Sequence, residues 1–296
     1  MLLKRQVDTL DAIEIIPSNA IASNDMIADI DLEHPGRVAE TLLRRSETEL
    51  ELEVAPARLR GLCAGHFPDE PLVPGAYLVG LAVDQARRLN GPVDRVVHAA
   101  FRAPSTPERS LLVHARSSGP DQTLVELAPK GADQAARCRI HHGAPFELAE
   151  SSRPEGPSSS GAGLLDHAAV RAALRHREPA LFIDAQLAAL ERGGDFVGLD
   201  RPRWHWTQLL DAAAQAAGLV LRHRASEPIL AVYVAAFERL GWASDSFEAK
   251  PRLRVRIRRR VMHLVQFDFE VDGIEQPELG PWMSGSLALA VVSEAK

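Results

Sequence analysis

Two segments constrain this chain more than any others: AYLVGLAVDQARRL at 76–89 and TQLLDAAAQAAGLVLRH at 207–223 carry Ala and Leu on nearly every helical face. A surface helix shows a single apolar stripe, so a helix that is apolar almost all round must be wrapped by other structure. Runs that alternate apolar and polar residues follow each one, LLVHAR and LVELAP after the first, RLRVRIRRR and VQFDFEV after the second. Period-2 alternation marks strands with one buried face. The expected fold class is α+β: an antiparallel sheet wrapped around a central helix, built twice.

The two units are separated by ESSRPEGPSSSGAG at 150–163, where Pro, Gly and Ser accumulate without apolar periodicity. It reads as a flexible linker between a first domain at 1–149 and a second at 164–296. The halves repeat weakly but in order. The first runs TELELEV (48–54), the loop CAGHFPDEPLVPG (63–75), its helix and AAFRAP; the second runs DFVGLDR (195–201), a shorter loop, its helix and AAFERL. Superposing the helices sets Gly80 opposite Asp211 and Asp84 opposite Gln215.

A net charge of -6 and an aromatic content of 5% supply neither the cationic field nor the stacking platforms of a nucleic-acid binder. Cys63 and Cys138 are too few for a disulfide framework or a four-ligand zinc knot. The opening MLLKRQVDTLDAIEII has charges where a signal peptide needs apolar residues, and no segment has the length and apolarity of a membrane span. The expectation is a cytoplasmic protein without nucleic-acid or membrane partners.

His66 lies in GHFPDEPLVPG, a loop stiffened by prolines that runs directly into the first apolar helix. Pro74 and Gly75 place a helix N-terminus beside it, whose free N–H groups suit an oxygen gaining negative charge. The alternative is a rigid turn with a structural histidine. In the second half, Asp211 and Gln215 stand four apart on one helical face. Taken alone, Asp211 reads more readily as a helix carboxylate capped by a polar neighbour than as a catalytic group.

At these residues the sequence resembles two related groups of enzymes. HFPDEPLVPG is similar to the His-Phe-Pro…Pro-Gly signature of the β-hydroxyacyl carrier-protein dehydratases, whose hotdog fold wraps a sheet around a long helix. In that family an acid on the helix fourteen positions after the histidine completes the site, and here that position is Gly80. LLDAAAQ resembles the Asp-x-x-x-Gln motif of polyketide synthase dehydratase domains, fused double hotdogs in which one half gives the histidine and the other the acid. The first loop departs from the polyketide pattern, which has Gly four and Pro nine residues after the histidine, where this chain has Glu70 and Pro74.

The resemblance implies a double hotdog, active as a monomeric pseudo-dimer or a homodimer, that converts a carrier-bound (3R)-3-hydroxyacyl thioester into the trans-2-enoyl thioester in fatty-acid, polyketide or polyene synthesis. His66 would be the base and Asp211 the acid, with Gln215, Pro74 and Gly75 supporting them. The partner would be an acyl carrier protein. No metal or redox cofactor is expected, the phosphopantetheine arm arriving with the substrate. Elimination needs a base at C2 and an acid at the C3 oxygen, so the two groups must face each other across a narrow cleft. Loss of the acid in the first half and of the histidine loop in the second leaves one composite site. Other thioester chemistry in the same fold (thioesterase, acyltransfer, cyclase, isomerase) and a non-catalytic partner-binding subunit are the competing readings.

Other signals are weaker. Asp84 reads as the polar counterpart of Gln215, His205 as a loop or surface residue, and Cys63 as a small buried residue, since no third group orients a Cys-His pair. CRIHHG (138–143) reads as a strand end. In RLRVRIRRR the arginines at 252, 254, 256, 258 and 260 fall on one strand face. Either that face is solvated, or Arg254, Arg256 and Arg258 dock an acidic carrier protein or its phosphate.

Overall fold

The structure, a computed structural model, describes residues 40–143, 164–190, 192–225, 229–275 and 280–293; the expected linker at 150–163 lies outside them. The first half comprises β1 (Glu40–Arg45), β2 (Glu49–Val54), α1 (Pro56–Leu62), α2 (Gly75–Asn90), β3 (Arg95–Phe101), β4 (Leu111–Gly119), β5 (Gln122–Pro129) and β6 (Ala136–His141). The second comprises α3 (His167–Ala173), β7 (Ile183–Leu190), β8 (Gly193–Gly198), β9 (Trp204–His205), α4 (Trp206–Arg224), β10 (Ile229–Trp242), β11 (Ser246–Phe247), β12 (Pro251–Val261), β13 (Leu264–Gly273) and β14 (Met283–Ser293).

The apolar helices behave as their composition requires. α2 starts after Pro74 and stops at Gly91, whose φ of +81° no helix continues and whose N–H bonds Arg87 O at 2.9 Å. Every residue from Ala76 to Val83 is buried. α4 carries Ala212, Ala213, Ala216 and Ala217 fully buried, and it packs against α2. His205, expected in a loop lining or at the surface, is instead the buried N-cap of α4. Its Nδ1 accepts from Thr207 N–H, and Gln208 Oε1 accepts from the His205 N–H at 2.9 Å. This is a capping box with imidazole in the usual hydroxyl place.

The two expected sheets are continuous. All pairings are antiparallel, in the order β1-β2-β4-β5-β6-β3-β10-β14-β13-β12-β8-β7, and β3 with β10 makes the junction. The junction is formed by the repeated AAF segments: Ala100 faces Ala236 and Ala99 faces Phe237. The rings of Phe101 and Phe237 meet edge to face at 5.9 Å. Equivalent pieces of the two halves therefore pair with each other, and the loops that precede α2 and β7 are carried toward one cavity between the halves.

The arginine strand differs from its sequence pattern. A bulge between Ile257 and Arg259 shifts the register, so Arg260 no longer shares a face with Arg252, Arg254 and Arg256. Arg252 is bound to Asp195, and Arg254 to Asp272 with Glu270 at 3.7 Å.

Candidate active site

His66 is set by its own loop. Its N–H bonds Cys63 O at 2.9 Å, and its Nδ1 donates to Leu72 O at 2.9 Å. A carbonyl can only accept, so Nδ1 carries the proton and Nε2 keeps its lone pair. The residues on either side take left-handed backbone, Gly65 at φ +74° and Phe67 at φ +57°. A phenylalanine holds such a conformation only where its surroundings force it. Phe67 is stacked on His66 at 4.1 Å, with the Arg175 guanidinium 4.7 Å from its ring centre. Burial pushes the His66 pKa down to about 4, and the Arg175 charge acts the same way.

Asp211 comes from the other half, on the second turn of α4, and is 4% exposed. Burial pushes its carboxyl up to about 7, against a lowering contribution from the Gln215 hydrogen bond at 3.3 Å. Gln215 does more than orient that carboxyl. Its Nε2 also donates to Ala180 O at 2.7 Å and its Oε1 accepts from Phe182 N–H at 3.0 Å, which fastens α4 to the segment leading into β7.

That segment brings in a residue sequence reasoning missed. His176 lies between α3 and β7, buried, with its ring edge-on to His66 at 4.9 Å and to Phe67 at 5.0 Å. One donor atom from each of His66, His176 and Asp211 lies within 4.8 Å of the other two. Among the described residues, these three are also the side chains close enough to converge on a metal ion.

All three line a cavity of about 440 Å³, together with Gly75 and Gln215. Leu72, Leu78, Phe101, Val232, Val234 and Leu289 make much of its wall apolar, as an acyl chain requires. Gly75 lies at the α2 N-terminus, with Pro74 as N-cap; the Tyr77 and Leu78 N–H groups turn back to Pro74 O. Of the arginines, Arg102, Arg175 and Arg222 border the cavity. Arg254, Arg256 and Arg258 do not. Their strand lies between β8 and β13, where Arg254 is matched to Asp272 and Glu270.

The discounted residues sit elsewhere. Asp84 is half-buried in a charged knot with Arg58, Arg88 and Glu40, where desolvation raises its carboxyl to about 6 against the pull of those arginines. Burial pushes the Cys63 and Cys138 thiols up to about 12, which removes either as a nucleophile near neutral pH. In the CRIHHG strand end, His141 bridges Asp94 and Asp121, and His142 bonds Thr123 Oγ1 at 2.8 Å.

The architecture is a double hotdog, and its structural neighbours are dehydratase domains. The dehydratase domain of a mycocerosic acid synthase-like polyketide synthase aligns with TM-score 0.63 and 14% identity over 86% of this chain and 94% of that one. A variant of the PpsC dehydratase domain from Mycobacterium tuberculosis aligns with TM-score 0.62 and 13% identity, covering 85% and 97%. A bifunctional dehydratase-cyclase domain of ambruticin biosynthesis aligns with TM-score 0.58 and 15% identity, covering 85% and 94%. Residues 42–137, which include the His66 loop and α2, match the family model of the ApeI-like dehydratases. No curated protein matches the chain. Among the described residues, no helix is long and apolar enough to cross a membrane.

Proposed function

We propose that this protein dehydrates a carrier-protein-bound 3-hydroxyacyl thioester to the trans-2-enoyl thioester. The observation that carries this reading is one cleft in which a neutral imidazole from one half faces a carboxyl of raised pKa from the other. His66 Nε2 takes the C2 proton, which the adjacent thioester acidifies. Asp211 gives its proton to the C3 oxygen, the C3–O bond breaks, and water leaves. One turnover moves a proton from Asp211 to His66, and its return restores both groups. The α2 N-terminus at Gly75 is placed to polarise the thioester carbonyl, its free N–H groups facing a charge that grows in the transition state. Arg102, Arg175 and Arg222, at the cavity's edge, are suited to the phosphate of the pantetheine arm and to an acidic carrier.

The decisive experiment incubates the protein with a 3-hydroxyacyl carrier protein and follows the acylated carrier by mass spectrometry. The expected result is loss of the mass of one water, with His66→Ala slower by about 10²- to 10⁴-fold. Free acid would indicate thioesterase chemistry, and a ring product would indicate the cyclase activity that one structural neighbour combines with dehydration. No change of any kind would leave a partner-binding subunit.

The pH dependence is a second expectation. The base must be neutral and the acid protonated, so kcat/KM holds a plateau between about 4 and about 7, bounded below by His66 and above by Asp211. Rates measured on a pantetheine thioester that continue to rise from pH 7 to pH 9 would rule Asp211 out as the acid.

A further inference from the structure

His176 fits none of the roles above, yet it stands where the chemistry would occur. Its Nδ1 is buried without any hydrogen-bond partner, although the ring lines the cavity. A buried polar atom left without a partner is unusual in a folded chain, and a catalytic role is one of the physical reasons for keeping one. The segment holding it is stitched to both sides of the site. Arg177 N–H bonds Gly65 O at 2.8 Å beside His66, while Ala180 and Phe182 are held by Gln215 beside Asp211. The ring therefore has little freedom to turn away.

We propose that His176 is a third catalytic residue, accepting a hydrogen bond from the C3 hydroxyl of the substrate while Asp211 protonates the same oxygen. The inference rests on the dehydratase reading and deepens it. An oxygen among three atoms that lie within 4.8 Å of one another can sit about 2.8 Å or less from each, which is hydrogen-bond distance. With the C3 oxygen between Asp211 and His176, the neighbouring C2 turns its proton to His66. As Asp211 delivers its proton, the departing oxygen becomes a stronger donor, so its bond to His176 tightens as the C3–O bond breaks. That bond is then worth more in the transition state than in the ground state, which is the condition for it to accelerate the reaction. Burial, assisted by the neighbouring His66 and Arg175, keeps the imidazole neutral and its lone pair available. The same contact selects for a hydroxyl at C3, because a saturated acyl chain leaves the nitrogen unpaired.

The test uses the full chain and separates binding from turnover. His176→Phe keeps a flat ring against His66 and Phe67 but removes the nitrogen, and thermal unfolding shows that the variant is folded. The expected result is a drop in kcat of about 10- to 100-fold, larger than any change in KM. In an Asp211→Asn background, which halts turnover, calorimetry compares 3-hydroxyoctanoyl-pantetheine with octanoyl-pantetheine. With His176 present the hydroxylated thioester binds the tighter, by about 10-fold, and His176→Phe abolishes that preference. Equal affinity for the two thioesters with His176 present overturns the proposal, as does an unchanged kcat in His176→Phe. If the preference persists but the unsubstituted chain performs no dehydration, the proposed function fails while the hydroxyl contact at His176 stands.

Discussion

Replacing Asp211 with Asn is expected to stop dehydration and, at alkaline pH, to make the protein more stable. The amide matches the carboxyl in size and its oxygen still accepts from Gln215 Nε2, so packing against Ala180 and Phe182 is kept. What is lost is the proton, and on the proposed mechanism loss of the general acid lowers the rate by about 10²- to 10⁴-fold. The stability effect follows from the same burial that makes Asp211 useful. Its carboxyl is raised from 3.8 to about 7 in the folded state, so folding holds its proton where the unfolded chain has released it. Below pH 3.8 both states are protonated and nothing is lost. As pH rises toward 7 the unfolded state gains by ionising, and above 7 the folded state must carry a buried charge. Three pKa units correspond to roughly 4 kcal/mol, as an order of magnitude. Asn has no such penalty, so thermal melts should show Asp211→Asn several degrees more stable than the unsubstituted protein at pH 8.5, and the difference should vanish near pH 4. Equal melting temperatures at pH 8.5 would mean that Asp211 is not raised, and the acid would have to be sought elsewhere in the cleft.

Asp211 and His66 were both legible in the sequence because each sits in a dense local signal. HFPDEPLVPG fixes backbone through its prolines, and LLDAAAQ sets two polar side chains on a helix otherwise made of Ala and Leu. That the two would meet was legible from the complementary losses, Gly80 in one half and the altered loop in the other. The two helices and the main strands were legible for the same reason, since burial writes itself into the apolar pattern. His176 had no such signal. It stands in LRHREPALFI, where nothing in periodicity or spacing separates a histidine facing a cleft from one facing water. Its position depends on Arg177 reaching Gly65 and on Gln215 reaching Ala180, contacts between residues far apart in the chain. The placing of Arg260 on the face of Arg252, Arg254 and Arg256 failed in the opposite direction. The strand's local pattern was strong, but the carboxylates that pair with it come from β8 and β13, and the bulge after Ile257 is set by the partner strand. His205 was misplaced because a cap depends on where the helix starts.

Gly65→Ala should damage both the fold and the site, although Gly65 touches no substrate. A Cβ at this position would stand 2.2 Å from Arg177 O, and 2.9 Å from both Ala180 N and Glu178 C. All three are backbone atoms, so no rotamer change relieves the contact. The φ of +74° adds a left-handed penalty of about 1–2 kcal/mol for any residue with a Cβ. The two segments must separate, which breaks the 2.8 Å bond from Arg177 N–H to Gly65 O and moves His66 away from His176 and Asp211. A shift of about 1 Å in a catalytic constellation is enough to lower the rate about 10²-fold. The expected outcome is a loss of at least about 3 kcal/mol in stability together with that loss of rate. Gly61→Ala serves as the matched control. Gly61 lies in α1 with nothing within 4 Å of its added Cβ, and Ala there should stabilise by about 0.5–1 kcal/mol while leaving turnover unchanged. If denaturant melts and rates show Gly65→Ala as well tolerated as Gly61→Ala, the loop that carries His66 is not anchored to the segment that carries His176. The geometry of the cleft would then be set by the helices alone.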